Sequence, residues 1–295
     1  MPLIIHSKNQ KAKPQLEHYL ALNAKDGSVL VRIPAGEFEM GDGKSSDCLK
    51  HKIELSEYWM GVYCVTNRQY GMFVAETKWR APEWPDFGTP IWKGGQCPAE
   101  KLDHPVVCVS WIDAEAYAKW AELSLPTEAQ WEKAARGPQG FICPWGDEGD
   151  ANKWRNSTNK GTETTARVWE YPNGTSGYGT MQQTGNVWEW CADWHESDYY
   201  RKSPAKDPTG PSFSLGSGRV SRGGYWLPGS ASIQSGSRRP TYDPAHSFDN
   251  LGFRLVRNSP SVGKAMQEHA TKVPACITKS SPPSTTNIQH HYHNG

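Results

Sequence analysis

Residues 185–194 read G-N-V-W-E-W-C-A-D-W. Of the 14 tryptophans in the chain, Trp188, Trp190 and Trp194 crowd into this stretch, and one carboxylate, Glu189, alternates with the rings. The Gly185–Asn186 pair permits a sharp backbone turn. Beyond it the period-2 pattern predicts a short extended segment, with Val187 and Glu189 on one face and Trp188 and Trp190 on the other. A carboxylate enclosed by indoles requires a partner. Two kinds suit it. Ca²⁺ takes about six to eight oxygens in a flexible shell, and Gln182 with the main-chain carbonyls of Gly185 and Val187 could complete such a set. An arginine is the other partner, and spacing alone leaves both open.

The composition around this stretch is that of a loop-rich protein. The 295 residues include 28 glycines and 22 prolines, and the aromatic content is 11%, so the core is expected to rest on rings and regular structure to be sparse. Lys and Arg number 32 against 31 Asp and Glu. With a net charge of +1 and no basic stripe interleaved with aromatics, nucleic-acid binding has no electrostatic support. No run approaches a membrane-spanning length, and the start M-P-L-I-I-H-S-K has too short an apolar core for a secretion signal. A cytoplasmic location is the expectation. The 7 cysteines contain no C-x-x-C, so neither a disulfide framework nor a zinc ribbon is indicated.

Taken in order, residues 1–28 read as a flexible lead-in with a short helix around Pro14 to Ala24. A strand begins at Val29, and K-H-K-I-E-L-S-E-Y-W-M-G supplies another. Capping-box spacings at Thr66/Gln69, Ser110/Asp113 and Thr127/Gln130 predict three helices, the last stopped by Gly137. Residues 80–103 and 140–179 are aperiodic and read as ordered loops. In the second loop the side chains of Asn156 and Asn159 offer oxygens for another cation, or hydrogen bonds to their own backbone. R-V-S-R and L-G-F-R-L-V-R close the body as strands, and residues 258–295 form a Ser- and Pro-rich tail expected to be disordered.

Read together, I-P-A-G-E-F-E-M-G, V-T-N-R-Q-Y, H-P-V-V-C-V-S-W-I-D-A, L-P-T-E-A-Q-W-E-K-A-A-R-G, P-W-G-D, G-N-V-W-E-W, R-V-S-R-G-G and L-G-F-R-L resemble the sulfatase-modifying-factor family, whose domain is that of the formylglycine-generating enzymes. The resemblance spans residues 29–257. It implies an α+β fold: a single, elaborated C-type-lectin-like domain, poor in regular structure and calcium-bound. The calcium ligands it implies are Gln182, Gly185, Val187 and Glu189, with Gln182 where the family often carries Asn. A second set would be Asn156 and the Ser157 carbonyl, with Asn152 a competing alignment.

The resemblance fails at the chemistry. Formylglycine-generating members hold copper through two cysteines placed just after R-G-G, since soft thiolates select Cu(I). Here Pro228 and Ile233 occupy those places, and no cysteine lies between Cys191 and Cys276. The H-x-x-x-H-x-E motif of the family's iron-dependent sulfoxide synthases is also missing. Two functions follow as expectations. One is a ligand- or protein-binding module displaying Tyr225, Trp226, Arg238, Arg239, Tyr242 and His246 from the 225–248 segment. The other is an oxidoreductase with a rebuilt pocket, its metal held by histidines such as His195 and His246.

Overall fold

In a computed structural model the chain is described over residues 20–213, 218–226 and 239–258. The architecture is α+β with short elements, as the composition requires. Strands β1 (Leu20–Leu22), β2 (Val29–Ile33), β5 (Tyr58–Gly61) and β10 (Val256–Asn258) form an antiparallel sheet in the order β1-β2-β5-β10. The first and last described strands therefore lie in one sheet. Between them β3 (Gly36–Met40) and β4 (His51–Leu55) make a two-stranded ribbon. The second four-stranded sheet has the order β8-β7-β6-β9, from β6 (Trp188–Trp194), β7 (Arg219–Arg222), β8 (Arg239–Tyr242) and β9 (Leu251–Gly252), with β9 parallel to β6.

Helices α1 (Asn67–Thr77), α2 (Trp111–Trp120) and α3 (Glu128–Arg136) each begin at the expected capping box. In every case the Ser or Thr side chain accepts from the backbone N–H three residues on, while the side chain there accepts from the cap's own N–H. Gly137 ends α3 at φ +67°. A short helix, α4 (Tyr199–Lys202), follows β6. The larger core cluster packs Tyr70, Phe73, Tyr117, Trp188, Trp190 and Phe253 between α1, α2 and the second sheet. On the other side of the first sheet, Ile33, Tyr58 and Met60 pack with Ala129 and Ala134 of α3.

Two expectations need correction. Residues 20–22 are a strand, not part of a helix, paired in the register Leu20↔Val31 and Leu22↔Val29. The following turn is closed by Asn23 and Asp26, whose side chains are joined at 2.8 Å and buried. The ordered body therefore reaches back at least to Leu20 rather than starting at Val29, because the pairing comes from β2 and leaves no local periodicity. The stretch 251–257 is also two strands instead of one. Leu251–Gly252 pairs with β6 and Val256–Asn258 with β5, and Phe253, Arg254 and Leu255 cross the interior between them.

His104, at the head of H-P-V-V, is buried, and its Nδ1 lies 2.8 Å from the Thr165 hydroxyl. Burial, with Lys101 and Arg167 adding repulsion, pushes its pKa down to about 4. The imidazole is neutral in the fold but protonates near its ordinary pKa once unfolded. Its contribution is complete above about pH 6.5 and is lost as the pH falls towards 4. We expect the unfolding free energy to fall by roughly 2 kcal/mol between pH 7 and pH 5 through this residue. Urea titrations at pH 7 and pH 5 check it: His104→Asn should flatten the difference, and an unchanged difference would refute the assignment.

Candidate functional site

The turn before β6 is made as its residues suggest. Gly185 and Asn186 both take left-handed conformations, at φ +74° and +63°. A Cβ on Gly185 would lie 2.3 Å from Trp154 Cε3 and 2.4 Å from the Arg155 carbonyl oxygen, so only glycine fits. The Asn186 side chain accepts from Ala166 N–H and donates back to the Ala166 carbonyl, and it also donates to Gln182 Oε1. Gly185 N–H donates to the Gly223 carbonyl at 2.9 Å. That bond ties the turn before β6 to the glycine pair after β7.

Glu189 is fully buried, as is Arg254. Arg254 Nε donates to Glu189 Oε2 at 2.5 Å and Nη2 to Oε1 at 2.7 Å, a bidentate pair. The Trp131 indole N–H donates to Oε2 at 2.7 Å and the Cys64 thiol to Oε1 at 3.4 Å. These donors fill the roughly four acceptor positions of a carboxylate. The Gln182 amide is occupied too: its nitrogen donates to the Arg167 and Glu170 carbonyls at 2.8 Å, and its oxygen accepts from Asn186. Of the expected calcium set of Gln182, Gly185, Val187 and Glu189, the two side chains are thus held by protein partners. Of the two partners open to Glu189, it is an arginine that holds the carboxylate. Burial acts to lower the Arg254 pKa, but the Glu189 charge outweighs it and leaves the group above its ordinary value.

The second expected set behaves likewise. Asn156 Oδ1 accepts from the Thr158 N–H and hydroxyl, and Asn159 Oδ1 from Asn156 N–H and the Tyr171 hydroxyl. Both amide nitrogens donate to the carbonyls of Ala151 and Trp154. Asn156 and Asn159 thus close the loop that carries Ser157, and Asn152 N–H is capped by Asp150.

The expected recognition residues are divided. Tyr225 lies beside Trp188, ring centroids 6.1 Å apart, and Tyr242 meets Trp190 edge-on at 6.0 Å. From Tyr242 the rings continue to Phe248 at 4.5 Å and from Phe248 to Phe87, stacked at 5.5 Å. Exposed His246 stands edge-on to Phe248. Trp226 departs from the expectation: it is buried, with Lys160 Nζ 4.8 Å above its ring. Arg238 lies outside the described residues, as do Pro228, Ile233 and the Arg239 side chain. Sequence reasoning missed Trp84 and Phe87, which are 85% and 65% exposed. The aromatic, proline-rich composition of residues 80–103 was the available signal. His195 faces Asp47 at 3.8 Å, so it and His246 have different neighbours. Among the described residues no group of three His, Cys, Asp or Glu side chains is placed to hold a metal.

Residues 20–259 match the model of the sulfatase-modifying factor enzyme 1-like domain. The chain belongs to that family. A formylglycine-generating enzyme of Streptomyces coelicolor is 34% identical over 284 residues, covering 78% of this chain and 89% of the relative. Among solved structures, Treponema denticola variable protein 1 superposes with a TM-score of 0.66 at 23% identity, over 82% of this chain and 99% of its own. PvdO from Pseudomonas aeruginosa gives 0.67 at 23%, over 81% and 98%. The fold is thus that of the formylglycine-generating-enzyme-like, C-type-lectin-like proteins, as the motifs implied. Among the described residues no helix is long and apolar enough to cross a membrane.

Because Arg254 is buried, removing its counter-charge should be costly. Glu189→Gln is expected to lower the unfolding free energy by about 3–5 kcal/mol, and pairing Glu189→Leu with Arg254→Met to recover part of that loss. Calcium or a chelator should leave the wild-type melting temperature in place. A calcium-dependent rise that Glu189→Gln abolishes would restore the ion to this site.

Proposed function

We propose that this member of the family is a non-catalytic recognition domain whose binding face is the aromatic ridge from Tyr225 and Tyr242 through Phe248 to Phe87 and Trp84. The observation that carries the reading is the exposure of Phe87 at the end of a ring series anchored on buried Trp190, with exposed Trp84 three residues before it in the same loop and Tyr225 resting on buried Trp188. Rigid aromatics held at a surface supply contact area at low entropic cost and are the residue types enriched at binding hot spots. The partner is a protein or a small molecule. In this reading the centre of the scaffold is closed by Glu189 and Arg254, and calcium is not among its ligands.

An oxidase reading comes with the name of the Streptomyces relative. Copper of the family type needs a thiolate pair, and Pro228 and Ile233 stand at those places. The thiol nearest before them, Cys191, is fully buried, and burial raises its pKa well above the ordinary value. Such a thiol is a poor metal ligand and nucleophile. Among the described residues no further ligand set supports the alternative metal site built on His195 and His246.

Two measurements test the proposal. Incubation with copper and a cysteine-containing sulfatase peptide should yield no aldehyde by mass spectrometry; stoichiometric aldehyde would end the binding-module reading. A peptide and glycan array probed with the wild type should give signals that the double variant Trp84→Ala/Phe87→Ala loses by tenfold or more while its melting temperature holds. Signals indifferent to both substitutions would remove the ridge from the binding face.

A further inference from the structure

A cavity of about 240 Å³ lies away from the ridge, where the β1–β2 turn, the entry to α1 and residues 168–169 meet. Its wall is largely apolar and includes Val29, Val168 and Cys64, a thiol kept neutral by burial and by the charge of Glu189. The acceptors around it are already engaged. The Asp26 carboxylate receives Asn23 Nδ2, the Ser28 N–H and hydroxyl, and the Tyr117 hydroxyl, all within 2.9 Å. Gln69 Oε1 receives the Thr66 N–H and hydroxyl, and Gln69 Nε2 donates to the Asp26 carbonyl and Ser28 Oγ.

The capacity that is left is that of donors. Arg68 lines the cavity with its side chain 51% exposed and meets Asp103 through Nε at 3.1 Å; among the described residues its two terminal nitrogens have no acceptor. Tyr63 and Trp169 also line the cavity, and among the described residues no hydrogen bond engages the Tyr63 hydroxyl or the Trp169 indole N–H. Burial raises the Tyr63 pKa and keeps the hydroxyl protonated. The complement of one cation, two neutral donors and apolar walls is an anion on an apolar body. At about 240 Å³ the space is below the ~300–1,000 Å³ of ordinary ligand sites, which selects a single-ring compound over a peptide.

We propose that this cavity binds a small organic acid, its carboxylate met by Arg68 and the donors of Tyr63 and Trp169, its apolar body by Val29, Val168 and Cys64. The site is independent of the aromatic ridge, and neither requires the other. Phenylacetate titrated into the full chain, followed by tryptophan fluorescence and by amide chemical shifts, tests it. Phenylacetamide and 2-phenylethylamine serve as the neutral and cationic counterparts. Phenylacetate should bind saturably and at least tenfold tighter than either, with shifts confined to residues around 26–29, 63–69 and 168–169. Arg68→Gln, on an exposed helix position, should keep the melting temperature and remove the preference for the acid. Trp169→Phe, which retains a ring but loses the N–H, should weaken phenylacetate severalfold and phenylacetamide less. Equal binding of all three compounds, affinity for the acid unchanged by Arg68→Gln, or no saturation at millimolar concentration would overturn the proposal.

Discussion

The constraint from which the structure follows is the need to neutralise a carboxylate and a guanidinium that are both removed from water. Glu189 and Arg254 share two short bonds, and every remaining donor of the guanidinium is directed at a carbonyl. Nη1 serves Gly61 and Val62, where β5 ends, and Nη2 serves Met181 in the loop before the Gly–Asn turn. One side chain therefore ties the first sheet, the second sheet and a loop together. Isolated burial of either charge would cost several kcal/mol. The fold must present those carbonyls and that carboxylate together or not form at all. This explains why the chain crosses the interior at Phe253–Leu255 instead of continuing as one strand.

A second buried ion cluster repeats the device on the other side of α3. Glu132 accepts from Arg222 Nη2 at 2.5 Å, from Arg136 Nη1 at 2.9 Å and from Gly41 N–H at 2.7 Å. Trp131 connects the two clusters: its indole N–H reaches Glu189, and Arg222 lies 5.5 Å from its ring. Adjacent residues of one helix thus face two different charge pairs. In a protein with so little regular structure, these pairs do the positioning that long helices and wide sheets do elsewhere.

What the sequence disclosed depended on how local the physics is. The three capping boxes are relations over three residues, and each formed as its spacing required. The left-handed Gly185–Asn186 turn is equally local. Glu189 marks where that kind of reasoning stops: its need for a partner is visible, but Arg254 lies 65 residues along the chain and competes with a cation that leaves no trace in the spacing. The same holds for Leu20–Leu22, which has no period of its own and is a strand only because β2 lies beside it. Trp84 and Phe87 stood in an aperiodic loop where composition signals rings without saying which of them face water.

The closure of the interior bears on function. A copper or calcium centre of the kind the motifs implied would need a thiolate pair or a carboxylate open to an ion. Here Glu189 is saturated by its own protein partners, and the described buried thiols are held in their neutral form. The unsatisfied chemistry lies at the periphery instead. Aromatic rings reach the surface on one side, where the inner ends of the series are fixed by Trp188 and Trp190 and cannot rotate away. Around a cavity on another, donor atoms of Arg68, Tyr63 and Trp169 are left without acceptors among the described residues. A scaffold stiffened by internal ion pairs keeps such peripheral groups in place, and a rigid periphery is what recognition at low entropic cost requires.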